Sequence, residues 1–454
     1  MNLLYYIPLF KFFNSTNNKT TIIKFSLFLV LSILSLVNIF FSVLTLVLFA
    51  IFTLCEFDYR SSIWFLLFIL PHPFSPINFV IVASTYFAII MSARFVVDII
   101  KHRIDFKNKI TSSILILFGV AIVLILTPIA PTYYFMGILL SISFFVSITI
   151  LLINYEKLDI KRLFIMFSMF VAIICIVYNF FALLNIVPTR VFYIDELERF
   201  NIFIRDPNFT AGVLICAIAC LLVLFKNNDI NKKLFYPLYT VITTFAFHTI
   251  SKAFLICFVP LFLYVLIDLS IKYFKTKTFD TLIDLVGFLS ATIIAVLLSY
   301  QYLFTLFNRF HEIAEPTTID DKASVLTTGR TALWEMYIVE IFSSASIALF
   351  GHGSYSAKLD SDPHNTLLGL AYDFGIILCL IILAIYVLAY IKNYTKFNLF
   401  SIFSGLCVFV MYMSITALIN FQFYAFLILF ALIAYNKPKQ NCDTQSTTNT
   451  LNDI

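Results

Sequence analysis

The chain is written in long, unbroken apolar runs, neither the strict alternation of a half-buried strand nor the one-sided stripe of a surface helix. A helix that crosses a hydrocarbon core of about 30 Å needs about 20 such residues, and most runs here match that length. Membrane β-barrels instead give a weak ten-residue alternation. The runs predict spans at 25–54, 78–99, 112–129, 133–154, 163–185, 208–225, 233–250, 253–271, 281–305, 366–391, 398–417 and 419–436. The first is too long for one crossing and is expected to divide into two short helices turning near Asn38, with 61–70 as a further crossing. The expected fold class is all-α: a polytopic integral membrane protein with 12–14 transmembrane helices.

Composition narrows the class. Of the 454 residues, 61% are hydrophobic and only 12% are charged, against about 25% charged in soluble domains. A mean hydropathy of +0.98 leaves too much apolar surface for a water-soluble fold to cover, which excludes a cytosolic enzyme, a nucleic-acid-binding module and a disordered protein. Net charge is +5, but its distribution says more than its sum. With both termini inside, the inner connections carry 20 of the 30 Lys and Arg residues, including Lys101, Arg103, Lys107 and Lys109, then Lys157, Lys161 and Arg162, then Lys226, Lys232 and Lys233. The positive-inside rule therefore sets the orientation. The expected layout is a cytoplasmic N-terminus (1–24), a helical region (25–306) with an outer loop at 186–207, a large outer loop (307–365), C-terminal helices (366–436) and a cytoplasmic tail (437–454). The first 24 residues lack the short apolar segment and cleavage site of a signal peptide.

The spans themselves are chemically quiet. Asp98, Asp268 and Asp284 fall near inner ends, where they are expected to reach water, and only Asp373 lies about two turns inside a span. Seven of the eight cysteines lie in or at the edge of apolar runs. There is no CxxC pair, and Cys216 and Cys220, on one helix face, read as core packing.

Polar chemistry collects on the other side. Both long connections are outer ones, and long ordered loops on a rigid scaffold commonly carry function. Five of the six histidines, His72, His248, His311, His352 and His364, fall in outer loops or at outer span ends. In the larger loop, Thr327-Thr328-Gly329-Arg330 reads as a helix start. Trp334, Tyr337, Ile338, Ile341 and Phe342 then recur at helical spacing, which predicts an amphipathic helix of about four turns on the membrane surface. Its first turn, with Arg330, is a seat for a phosphate, or Arg330 merely meets lipid headgroups or pairs with Asp320 or Asp321. Pro363 stops a helix behind it, so His364 stands at the mouth of the next span. The earlier loop ends Arg205-Asp206-Pro207-Asn208, also at a span mouth.

Three stretches, Gly329-Arg330-Thr331-Ala332-Leu333-Trp334, Leu349-Phe350-Gly351-His352-Gly353 and His364-Asn365-Thr366-Leu367-Leu368 with Gly375 beyond, resemble the O-antigen polymerase and O-antigen ligase superfamily of bacterial envelope glycosyltransferases. Arg205-Asp206-Pro207-Asn208 is similar to the Asp-Pro-Asn segment of many polymerases. The resemblance implies a C-type glycosyltransferase architecture in the bacterial inner membrane. Its site would lie at the outer surface, and its donor would be a saccharide on undecaprenyl diphosphate. It implies a polymerase that moves the growing chain onto the next lipid-linked repeat unit of an O-antigen, capsule or exopolysaccharide. A ligase transferring the finished chain to lipid A-core is the alternative, and a lipid-linked oligosaccharide flippase a more distant one. No metal, nucleotide sugar or nucleic acid is implied. The partners would be the lipid-linked oligosaccharide, membrane lipid, a flippase and a chain-length regulator.

For such chemistry the protein must hold a lipid diphosphate and neutralise it as the glycosidic bond breaks. Arginine suits that task, so Arg205 and Arg330 are the first candidates and Arg199 a weaker one. The acceptor hydroxyl needs a base or orienting acceptor, and His364 precedes Asp206 as the candidate. Trp334 and His352 would bind or orient. Asn208 and Asn365 would bond sugar hydroxyls or simply cap their spans. A Leu at 378 departs from the small or Tyr residue that ligases carry there.

Overall fold

The computed structural model describes residues 18–35, 37–55, 90, 93–101, 104, 106–126, 149, 152–153, 155, 159–186, 192–194, 197–202, 207–311, 330–353, 363–393, 398–415 and 423–435. The chain is an all-α membrane protein, with one short hairpin among the described residues. In order come α1 (Asn18–Ser35), α2 (Ile39–Cys55), α3 (Lys109–Leu126), α4 (Ile160–Leu183), the antiparallel strands β1 (Phe192–Ile194) and β2 (Leu197–Arg199), α5 (Pro207–Lys226), α6 (Lys232–His248), α7 (Lys252–Thr276), α8 (Phe279–Leu298), α9 (Tyr300–His311), α10 (Arg330–Ile341), α11 (Ala345–Phe350), α12 (Thr366–Asn393), α13 (Leu399–Tyr412) and α14 (Phe423–Ile433). Among the described residues, α4, α5, α7, α8 and α12 are long and apolar enough to cross a membrane. The outward faces of α4, α7, α8 and α12 carry large apolar side chains such as Leu183, Ile267, Leu297 and Leu383, a surface made for hydrocarbon.

Short polar residues start the helices where the sequence places them. Asp159, Asn231, Ser251, Thr278 and Asn398 each accept a hydrogen bond from a first-turn backbone N–H of α4, α6, α7, α8 and α13. The long first run divides as expected: Asn38 Oδ1 accepts from Phe40 N at 2.8 Å, opening α2. α1 begins already at Asn18, inside the segment expected to be a tail, and buries Lys24 completely. The run expected as one span at 281–305 breaks at Ser299 and continues as α9 to His311, so helix replaces the start of the outer loop. The crossing expected at 61–70, most of 133–154, the first 17 residues and the C-terminal tail lie outside the described residues.

α5 is the central helix. Seventeen of its 20 residues are buried, and α4, α6, α7, α13 and α14 all pack on it. A helix apolar all round belongs inside a bundle, and its Ala211, Gly212, Ala217, Ala219 and Cys220 let neighbours come close. Cys216 and Cys220 sit in this packing, fully buried, with Cys216 Sγ 3.8 Å from the Tyr412 hydroxyl.

The bundle has two chemically different ends. At one, lysines tie helix ends to aspartates: Lys226 to Asp268 at 3.1 Å, Lys232 to Asp284 at 2.5 Å and Lys161 to Asp229 at 3.6 Å. Tyr435 donates to Asp229 at 2.8 Å and Lys392 to the Ile153 carbonyl at 2.8 Å. Two of the aspartates expected to reach water do not. Asp284 is buried against Lys232, and Asp98 is fully buried, paired with Arg94 at 3.1 Å one helical turn away. Pairing with a cation substitutes for water, because an isolated buried carboxylate is too costly.

At the opposite end, α12 is broken. Gly375 stands in the middle of the helix at φ 75° and ψ 174°. The turn after α11 closes onto this break: His352 N donates to Tyr372 O at 2.8 Å, and Gly353 N to Asp373 O at 2.8 Å. The approach is backbone to backbone. A Cβ on Gly351, itself at φ 75°, would lie 2.5 Å from Asp373 O and Phe374 N, and a Cβ on Gly375 would run into the Leu349 carbonyl. Both glycines are thus required twice over, by dihedral angle and by space.

Gly351→Ala and Gly375→Ala are each expected to destabilise the protein by about 3 kcal/mol or more through strain and backbone overlap. Gly119→Ala, with nothing within 4 Å of the new methyl, should be neutral. Membrane accumulation and thermal midpoint in detergent check the contrast.

Candidate functional site

The end of the bundle that holds the Gly375 break gathers most of the candidate residues. Arg330 opens α10 and donates through Nη1 to the Ser414 carbonyl at the end of α13. One turn later Trp334 Nε1 donates to the Pro363 carbonyl at 2.8 Å. His364 follows Pro363 in the left-handed region at φ 47°. That conformation is uncommon outside glycine and turns the chain sharply into α12. Asn365 then caps α12: its Oδ1 accepts from Leu367 N at 3.0 Å and Leu368 N at 3.1 Å. Thr366 Oγ1 donates to the Ile415 carbonyl at 2.6 Å. Arg330 and Thr366 therefore grip adjacent carbonyls, and Arg330, Trp334, His364 and Asn365 form one cluster where α10, α12 and α13 meet.

The apolar spacing of α10 divides between two faces. Tyr337 and Ile341 are buried against Tyr372 of α12, with Leu333 and Leu368 packed alongside, while Ile338 and Phe342 of the expected stripe are exposed. The helix spans 12 residues, and the segment 312–329 before it, with Thr327, Thr328 and Gly329, lies outside the described residues. Apolar residues occur on more than one face of this helix, and spacing alone does not say which face meets protein.

His352 does not join the Arg330 cluster. It is buried, its ring is 4.5 Å from that of Tyr372, and its Nε2 lies 3.4 Å from Glu340 Oε1. Glu340 is ten residues beyond Arg330, which along a helix is about 15 Å. His352 thus braces the far end of α10 against the break in α12. Asp373, the one acid read as intramembrane, belongs to that break through its carbonyl.

A second group lies around the hairpin. Arg199, at the end of β2, donates through Nε to the Thr249 carbonyl at 2.7 Å and through Nη2 to Asn208 Oδ1 at 3.3 Å. Phe200 N donates to the His248 carbonyl at 2.9 Å, and Ile202 N to Thr210 Oγ1 at 3.1 Å. Arg199 and Asn208 therefore fasten the hairpin to the start of α5 and the end of α6. A cavity of about 410 Å³ opens beside them between the ends of α4 and α6, the hairpin and α9. Arg205 and Asp206 fall in 203–206, outside the described residues, immediately before Pro207 opens α5.

The two groups share an end of the bundle because α5 and α13 run antiparallel. A Cβ on Gly212, near the start of α5, would meet Ile415 at 3.0 Å and the Tyr412 hydroxyl at 3.4 Å. At the other end Lys226 lies over the Phe400 ring near the start of α13. Asn208 is one turn before Gly212, and Ser414 and Ile415 are the residues held by Arg330 and Thr366. Sequence reasoning missed Glu340, Thr366, Asn179 and Tyr302, and the buried Lys252 in the first turn of α7 at this same end. Only Thr366 carried a local signal, as the neighbour of a capping asparagine. The others depend on how the helices cross.

No protein-family model matches the chain, no curated protein matches it, and no solved structure matches it.

The cap gives Asn365 a structural duty that separates from chemistry. Asn365→Ala is expected to cost about 1 kcal/mol, whereas Asn365→Ser, which keeps the cap, should cost only a few tenths. Thermal unfolding in detergent measures the difference. A Ser variant that is stable but inactive would assign the amide a role beyond capping.

Proposed function

We propose that this protein is a polymerase of undecaprenyl-diphosphate-linked oligosaccharide repeat units. It resides in a bacterial inner membrane with both termini in the cytoplasm, and it transfers the growing glycan onto the next lipid-linked unit at the outer face. The observation that carries this reading is the clustering of Arg330, Trp334, His364 and Asn365 at the end of the bundle opposite the Lys226, Lys232 and Lys392 contacts. Lysine-rich connections mark the inner side of a membrane protein, so the cluster faces outward in this reading.

The chemistry follows from the groups present. A glycosyl diphosphate carries its own leaving group. The protein's task is to hold the diphosphate and offset the charge that grows on it as the C–O bond breaks. A guanidinium at a helix N-terminus combines planar donors with backbone N–H groups aimed the same way. Arg330 supplies that from α10, and Arg205 supplies a second cation from the segment entering α5. His364 takes the proton of the acceptor hydroxyl as it attacks the anomeric carbon, and Asp206 is the alternative acceptor. Arg199, Asn208, Trp334, His352 and Asn365 hold the surrounding backbone and substrate. The ligase reading rests on His364-Asn365 with Gly375. Against it stands Leu378, which is buried in the bundle.

Deletion of the protein is expected to reduce the surface-glycan ladder to a single repeat unit on its final anchor. Long chains stranded on undecaprenyl diphosphate would instead identify a ligase. Arg205→Ala, Arg330→Ala and His364→Ala should each abolish long chains while the protein still accumulates in the membrane, and normal chains in all three would remove the site assignment.

Orientation is tested separately with an impermeant maleimide. Asn185→Cys should react in intact spheroplasts and Asn228→Cys only after lysis, and the reverse result would invert the topology.

A further inference from the structure

The cavity beside the hairpin is not needed to hold Arg330 or His364, and its walls have a distinct character. Asn179 at the end of α4, Asn185 just beyond it and Asn201 after β2 contribute amides. Glu198 stands at its exposed rim beside Arg199. His248 and Tyr302 form a stacked pair, ring centroids 3.9 Å apart and planes 22° apart, with His248 Nε2 3.4 Å from the Leu298 carbonyl. The volume of about 410 Å³ falls in the range of small-ligand pockets, about 300–1,000 Å³.

These walls select a ligand class. An anion is disfavoured, because Glu198 offsets Arg199 and Arg199 already donates to Thr249 and Asn208. An apolar chain would leave the amides of Asn179 and Asn185 and the carboxylate of Glu198 facing hydrocarbon, which costs free energy. A polyhydroxylated ring satisfies both features. Each sugar hydroxyl donates once and accepts twice, matching amides that do both. The ring's C–H faces lie flat on an aromatic platform.

We propose that this cavity binds a neutral saccharide unit, and that it is the seat of the acceptor glycan. The second half of that statement rests on the polymerase reading, and the first does not. Arg199, Asn208 and Gly212 connect the cavity through α5 to the end of α13 that Arg330 and Thr366 grip. A saccharide held here therefore sits on the same face as the Arg330 cluster without competing for its cation.

The test uses the full chain in nanodiscs. The probe is the repeat-unit oligosaccharide released by mild acid from the surface glycan of the strain carrying the protein, free of lipid and phosphate. Inorganic pyrophosphate serves as the competitor. The oligosaccharide is expected to bind without displacement by pyrophosphate, and Asn179→Leu and Tyr302→Ala should each weaken it about tenfold, the size of one lost polar or stacking contact. Photo-crosslinking of the unmodified protein with a diazirine derivative, which needs no folded variant, should label 178–185, 198–201 or Tyr302. Absence of binding to the folded protein, competition by pyrophosphate, wild-type affinity in both variants or labelling elsewhere would each overturn the proposal. Binding that survives while a deletion strain shows unchanged glycan would sink the polymerase reading and leave the saccharide site standing.

Discussion

A helix inside an apolar bundle can be broken only where other groups take over the backbone hydrogen bonds that the break exposes. Gly375 makes such a break, and the backbone N–H groups of His352 and Gly353 answer it on Tyr372 and Asp373. The placement of α10 and α11 follows from that exchange. It docks α11 on α12. It brings α10 down so that Tyr337 and Ile341 seal against Tyr372. With α10 fixed at one end by this packing and by the contact between His352 and Glu340, its other end delivers Arg330 and Trp334 to the start of α12. The two glycines are therefore far from idle spacing: Gly351 leaves room for the Asp373–Phe374 backbone, and Gly375 for the Leu349–Phe350 backbone.

The second organising feature is α5. Its small side chains let five helices converge, and its two ends carry opposite kinds of work. Lys226 closes one end on Asp268 and over the rings of Tyr264 and Phe400. Asn208 closes the other on Arg199. Because the helix is buried along almost its whole length, neither end can shift without moving the packed neighbours, so the polar groups at the Asn208 end sit on a rigid floor.

Much of this was legible in the residues. Apart from the start of α1 at Asn18 and the break at Ser299, the helix boundaries followed the apolar runs and their caps, and the division near Asn38, the cap at Asn365 and the lysine-rich end, Lys252 excepted, came from local chemistry. Those features are short-range: a cap or a charged turn acts on its own helix. The misreadings share the opposite property. The break in α12 is answered by backbone groups of the turn after α11, more than twenty positions before it, and the burial of Asp284 depends on Lys232, in another helix; the Arg94–Asp98 pair, one helical turn apart, is the local exception. The true buried face of α10 depends on Tyr372, more than thirty positions on. The cavity is assembled from four segments, and its pair of His248 and Tyr302 joins helices that no spacing connects. The motif residues were found because they cluster in sequence, whereas the cavity was not because it clusters only in space.

The same distinction bears on how the candidate groups divide their work. An arginine that bonds a backbone carbonyl and a side-chain amide in the folded chain, as Arg199 does, has a geometry set by the protein, and its substitution would loosen the hairpin before it touched any ligand. Arg330 differs in position: it stands at a helix N-terminus, where backbone N–H groups add to its charge. The transfer we propose, between two lipid-linked glycans, needs both kinds of place, a cationic seat where charge grows and a neutral one where hydroxyls are read. If one pocket did both, the diphosphate's requirement for cations and the acceptor's requirement for matched donors and acceptors would compete for the same side chains. In the proposed arrangement, separating them across the shared end of α13 lets each be built from the residues suited to it, while the antiparallel contact of α5 and α13 keeps their relation fixed.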